Sequence, residues 1–320
     1  MTADGRVETV LGRRELPVGG LIDAHGHLWI APPPGVPEDA PVLDREHAIA
    51  EELGAFAAAG GAAVVDCQPP GAGRDVRVLA RLAALTGLAV VGATGFHLRR
   101  WHGRGGGGAW SLDADAARAA FVAELRDGLV EDGTMLPARA GVVKAAHPGH
   151  SEPASDRLLA AAAGAAAEAG ALLVVHTERG AAVEALAELL VGCGASPRRI
   201  MLCHVDKRPD LELHRELAEA GFLLEYDTFL RPRYAPEANV WPLVDAMLAH
   251  GHDDAIACGL DLADASMWRF GGHPAGMAGL GSVVADGLRR RGATPPQVAR
   301  LTGGTVRERL VRTRAAEAVA

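Results

Sequence analysis

Aromatic side chains are scarce: two tyrosines, six phenylalanines and five tryptophans in 320 residues. A chain so poor in large rings builds its core from aliphatic and alanine packing, with helices and backbones in close approach. Basic charge is also in deficit. Lysine and arginine number 32 against 40 acidic residues, a net charge of -8, and they are spread along the chain, so no stripe exists to neutralise nucleic-acid phosphates. No apolar run approaches the ~20 residues of a membrane span, and Met1 to Gly20 lacks the apolar centre of a secretory signal. The cytoplasm is therefore the expected location, with neither membrane nor nucleic acid as a partner. Cysteine is limited to Cys67, Cys193, Cys203 and Cys258, without a C-x-x-C pair and mostly inside apolar runs, where a free thiol behaves as a small hydrophobe. Cys203 is expected to face away from its neighbour His204, because side chains alternate along a strand. No Gly-x-Gly-x-x-Gly follows the first apolar run, which leaves a dinucleotide site nothing to rest on.

What the chain does have is alternation. Apolar runs of strand length (21–27, 62–67, 88–96, 141–146, 171–177, 199–204, 222–226 and 254–261) alternate with stretches of helical period. These lie near 45–59, 74–85, 112–127, 154–169, 180–192, 209–219, 237–250 and 276–292. Runs such as Ala171-Leu172-Leu173-Val174-Val175 lack polar alternation and suit strands buried on both faces. Eight such rounds predict one α/β domain over 1–320, a (β/α)8 TIM barrel with a short N-terminal segment at 1–20 and a closing C-terminal helix from about 294. Proline stiffens the first long loop, Pro32 to Pro41, and the glycine-rich stretch Gly103 to Gly108 predicts mobility.

Ligand-type residues stand at the ends of these strands, where a barrel keeps its working groups. His25 and His27 close strand one, Lys144 strand four, His176 strand five, His204 strand six and Asp261 strand eight. Four imidazoles and a carboxylate suit borderline divalent ions, zinc first, with manganese, cobalt or iron also accommodated. Lysine is the awkward member, since an ammonium repels dications. It fits if its amine carries CO2 as a carbamate. Asp23 shares the parity of His25 one layer deeper, where it could orient a ligand.

The pattern His25-x-His27, Lys144, His176, His204, Asp261 resembles the phosphotriesterase family of the amidohydrolase superfamily. Supporting stretches are Gly73-Arg74-Asp75-Val76, Thr94-Gly95-Phe96-His97, Val205-Asp206 and Gly271-Gly272. The resemblance implies a binuclear centre: one ion on His25, His27 and Asp261, the other on His176 and His204, with a carbamate on Lys144 bridging them. It also implies hydrolysis by a hydroxide made at the metals, Asp261 as the catalytic proton acceptor, and a homodimer.

Substrate choice falls to the loops. Arg231, Arg233 and Tyr234 after strand seven, and Trp268 and Arg269 after strand eight, are expected to contact a small-molecule substrate, their cations suiting an anionic group such as phosphate. A small polar or phosphorylated sugar lactone is the expected substrate. Organophosphate triesters, acyl-homoserine lactones, cyclic amides or a deamination are alternatives, as is a metal-containing binding protein without turnover. The stretch Gly271-Gly272-His273-Pro274-Ala275-Gly276 departs from the Gly-Gly-Gly-Pro-Gly of the phospholactonase-like members.

Overall fold

A computed structural model describes residues 5–103 and 107–312. Eight parallel strands form the centre: β1 (Leu21–Gly26), β2 (Gly61–Asp66), β3 (Ala89–Val91, continuing as Ala93–Gly95), β4 (Val142–His147), β5 (Leu172–Thr177), β6 (Ile200–Cys203), β7 (Leu223–Tyr226) and β8 (Ile256–Cys258). One ladder runs β1-β2-β3 and a second runs from the later half of β3 through β4 to β8. The last gap is closed at the rim: Asp261 N–H donates to His25 O at 2.8 Å, and Leu260 N–H donates to Asp23 Oδ1 at 2.9 Å across 237 positions of sequence. The expected (β/α)8 barrel is the observed fold.

Around it lie α1 (Glu46–Ala58), α2 (Val76–Thr86), α3 (Ala114–Arg126), α4 (Pro153–Ala169), α5 (Val183–Gly192), α6 (Leu211–Glu219), α7 (Val240–Ala249) and α8 (Asp286–Arg290). Several begin a residue or two later than periodicity suggests, because an acidic residue that looks helical is the cap. Asp75, Asp113 and Asp210 each accept from backbone N–H groups of the first turn, which offsets the orphan donors there. The stretch expected as one helix over 276–292 is a 3-10 turn, Gly276–Ala278, then a π-helix, Leu280–Ala285, before α8. Beyond 294 two short helices, Pro295–Ala299 and Thr305–Leu310, flank a second π segment. The tail at 313–320 and the middle of the glycine-rich stretch, 104–106, lie outside the described residues.

The N-terminal segment is a hairpin, Arg6–Thr9 paired with Gly12–Glu15, held to β3 by Val10 N–H to Val90 O at 2.9 Å. The barrel interior is filled by small and aliphatic side chains, among them Ile22, Ala63, Val65, Val142, Val174 and Met201, and a larger apolar layer lies between strands and helices. Arg74, in one of the family-like stretches, is buried and pairs with Glu124 at 2.9 Å. It holds the β2 loop in place and stands away from the strand-end cluster.

Candidate metal centre

The site forms where strands stop being regular. β1 breaks register between Asp23 and Gly26, an irregularity that re-aims side chains. Ile22 and Ala24 therefore stay in the interior cluster while His25 and His27 both turn to the rim. β6 ends at Cys203, and His204 takes a left-handed turn at φ 65°. The expectation that Cys203 and His204 face opposite ways fails here: Cys203 lies in the interior cluster, and the turn swings His204 above it. Asp261 has φ 46° and Arg179 φ 59°. A non-glycine residue in this region costs on the order of 1–3 kcal/mol and persists where surroundings enforce it, commonly at functional sites. Gly95, at φ 104°, admits the backbone of Lys144, whose carbonyl would collide with any Cβ there.

Five of the six expected ligands line one cavity of about 260 Å³, and the sixth, Lys144, lies directly beneath. Lys144 Nζ is 3.3 Å from His25 Nε2. The His25 ring is 4.7 Å from that of His204, which is 4.7 Å from that of His176. Asp261 Oδ1 lies 3.4 Å from His27 Nε2 and 4.0 Å from His25 Nε2. Burial pushes the pKa values of His25 and His204 well below the usual imidazole range, so the rings are neutral, the form that binds a cation. Burial raises the affinity of Asp261 for a proton, but Arg231, 2.6 Å from Oδ2, and the contact with His27 outweigh it and hold the carboxyl well below the carboxylate range.

Lys144 shows most clearly that the set is incomplete by itself. It is fully buried, and among the described residues its amine has one hydrogen bond, to His25, and no ion pair. An isolated buried ammonium is costly. Buried polar atoms without a partner, including His25 Nδ1 and His176 Nε2, add to the deficit. The donor set fits divalent cations.

Each imidazole also has a neighbour that sequence reading did not single out. His27 Nδ1 donates to Gln68 Oε1 at 2.8 Å; His204 Nδ1 is hydrogen-bonded to Asp227; Glu225 Oε2 stands 3.5 Å from His25 Nδ1 and Glu178 Oε2 3.6 Å from His176 Nε2. The available signal was an acid in an otherwise apolar strand, Leu223-Leu224-Glu225-Tyr226. Asp206 accepts from Asp227 N–H, Thr228 N–H and the Thr228 hydroxyl and so fixes the loop after β7. Asp23 accepts from His25 and Leu260 backbone N–H groups and joins β1 to β8.

The substrate-facing expectations divide. Arg231, Arg233 and Tyr234 line the cavity, together with Lys207, Arg100 and Arg179. Trp268 and Arg269 do not. Trp268 is fully buried, donating its indole N–H to Leu262 O at 2.8 Å; in a chain with few large rings, this one is taken by the core. Arg269 turns to Ala275 O at 3.1 Å, and its backbone N–H donates to Glu52.

The phosphotriesterase family model matches residues 5–301. A phospho-furanose lactonase of Mycoplasmopsis agalactiae is 32% identical over 74% of this chain and 70% of its own length. An N-acetyltaurine hydrolase of Rattus norvegicus is 28% identical over 91% and 93%. Among solved structures, a lactonase from Listeria monocytogenes superposes with a TM-score of 0.86 at 22% identity, covering 97% of this chain and 100% of that one, a likeness of fold.

Proposed function

This chain belongs to the phosphotriesterase family, and on that premise we propose that it is a metal-dependent hydrolase of small lactones bearing an anionic group, a phosphorylated sugar lactone foremost. The observation that carries the reading is one cavity with two kinds of lining: four imidazoles and Asp261 above Lys144, and five cations, of which Arg231 and Lys207 stand beside Asp261 while Arg233, Arg100 and Arg179 lie elsewhere on its wall.

His25, His27 and Asp261 would hold one divalent cation, zinc foremost, and His176 and His204 the other, with Lys144 as a carbamate between them. Carbamylation replaces a stranded ammonium by an anion, which removes the deficit described above. Such a pair supplies Lewis acidity and lowers the pKa of water toward neutrality. The chain's own groups do the rest. Asp261 Oδ1 faces the imidazoles and Arg231 keeps the carboxyl ionised, so that Asp261 would accept the proton that water loses, with Arg231 giving up its contact to Oδ2. Arg233 and Tyr234 stack, with 5.0 Å from guanidinium to ring centre, and present donors to a phosphate. Volume argues for a single small ring: about 260 Å³ is at the low end of ligand sites and leaves little room for a long acyl chain or three ester arms.

A second reading, hydrolysis of an amide whose amine part is anionic, draws on the relative named N-acetyltaurine hydrolase. The same cations would serve it. The test is turnover by protein loaded with zinc, manganese or cobalt on four-way panels: phosphorylated and unphosphorylated five-membered lactones, N-acetyl amides of anionic amines, and phosphotriesters. The proposal expects the phosphorylated lactones to give the highest kcat/KM. Preference for the unphosphorylated lactones would remove the anionic subsite, and preference for amides would favour the second reading.

A further inference from the structure

β7 supplies no expected ligand, yet its Glu225 and Asp227, one residue past its end, are both buried against the imidazoles. Asp227 takes His204. Glu225 has no such obvious task. Its Oε2 lies 3.5 Å from His25 Nδ1 and accepts His204 backbone N–H at 3.2 Å, and its Oε1 has no hydrogen-bond partner among the described residues. Room for the carboxylate exists because residue 259 on the neighbouring chain segment is glycine: a Cβ there would lie 2.2 Å from Oε1. A completely buried acid admitted by a neighbouring glycine has been accommodated at some cost in packing and solvation.

The tautomer of His25 shows what it is for. His25 Nε2 faces Lys144 Nζ, a donor, at 3.3 Å, so Nε2 carries the lone pair and Nδ1 the hydrogen. The only carboxyl placed beside Nδ1 among the described residues is that of Glu225, at 3.5 Å, near enough that a small turn of the ring would give Nδ1–H the partner it lacks. We infer that Glu225 is a positioning residue which holds the His25 ring with its Nε2 lone pair toward the centre, and that β7 thereby divides its two acids between the two cation positions. Glu225 serves the position of His25, His27 and Asp261; Asp227 serves that of His176 and His204. A ligating histidine oriented by a carboxylate typically loses 10–100-fold in metal affinity when the carboxylate is removed.

The inference rests on the two-cation reading above, and the experiment separates their failures. In a His176→Ala background the position of His25 is isolated, and in a His27→Ala background that of His204. Zinc affinity is measured in both, with and without Glu225→Gln, by competition with a chromophoric chelator. Burial and the neighbouring acids Asp227, Asp206 and Asp261 push the Glu225 carboxyl well above the usual carboxylate range; the amide keeps an acceptor for His204 N–H but cannot ionise beside His25 when a cation binds. The expected result is about tenfold weaker binding in the His176→Ala background, the lower end of that range, and a change within twofold in the His27→Ala background. Equal weakening in both, or in neither, overturns the inference while leaving the metal reading intact; wild-type protein that binds no zinc overturns both. Nitrogen-15 spectra of histidine-labelled, metal-free wild type give a check independent of the variants. His25 is expected as the Nδ1–H tautomer, and an Nε2–H signal contradicts the inference.

Discussion

Gln68→Leu perturbs the centre without touching any proposed ligand. Gln68 is buried, accepts from His27 Nδ1–H at 2.8 Å, and has its amide orientation fixed by a second bond from Nε2 to Ala72 O. With Nδ1 protonated, His27 Nε2 is the basic nitrogen, 3.4 Å from Asp261 Oδ1. Leucine fills a similar volume but offers no acceptor, which leaves a buried N–H unsatisfied and frees the ring to turn or to exchange tautomers. A buried donor deprived of its partner costs about 1–3 kcal/mol, or roughly 5- to 150-fold in affinity for a cation that needs Nε2. Competition with a chromophoric chelator measures this directly, with Tyr234→Phe as a control in the same cavity that contacts no imidazole. Zinc binding by Gln68→Leu equal to that of wild type would refute the claim that His27 binds through Nε2.

Three further outcomes follow from the same geometry. Trp268→Ala removes a fully buried ring and its bond to Leu262 O; a loss of about 3–5 kcal/mol is expected in urea unfolding, and a loss below about 1 kcal/mol would contradict its place in the core. Arg233→Ala should raise KM for an anionic substrate about tenfold, the loss of a partly exposed charged contact, whereas Arg269→Ala, turned to Ala275 O, should leave KM within twofold. His102 carries the pH prediction. Burial lowers its pKa from 6.5 to about 4, and the bond that Nε2 accepts from His97 N–H at 3.0 Å needs the unprotonated nitrogen. The unfolded chain takes up a proton below 6.5 and the folded one only near 4, so stability is complete above 6.5 and falls as pH drops through that window. His102→Gln, which keeps an acceptor, should flatten the fall in urea midpoint between pH 7 and pH 5; an unchanged slope would show that His102 does not contribute to it.

Alternation of apolar runs located all eight strands to within a few residues, because strands buried on both faces leave an uninterrupted apolar signature. The six proposed ligands were legible because an imidazole or lysine at the end of such a run has few structural uses. Three things were not legible. The turns at His204 and Asp261, with φ 65° and 46°, depend on the closed barrel and leave no mark on local propensity, so strict alternation misplaced Cys203 relative to His204. Gln68, Glu225 and Asp227 meet their imidazoles from other strands, and their sequence neighbours say nothing of those partners, while Glu178, two residues after His176, was the one a closer reading could have found. Trp268 and Arg269 sit in a loop that reads as substrate-facing, yet its tryptophan folds inward.

Metal stoichiometry tests the centre most directly. Wild-type protein reconstituted with zinc in bicarbonate-containing buffer and freed of loosely held ions should contain two zinc ions per chain by elemental analysis, and Lys144→Ala, prepared alongside, should hold one or fewer. Retention of two ions by Lys144→Ala, or at most one by wild type, would contradict the proposed lysine-bridged pair.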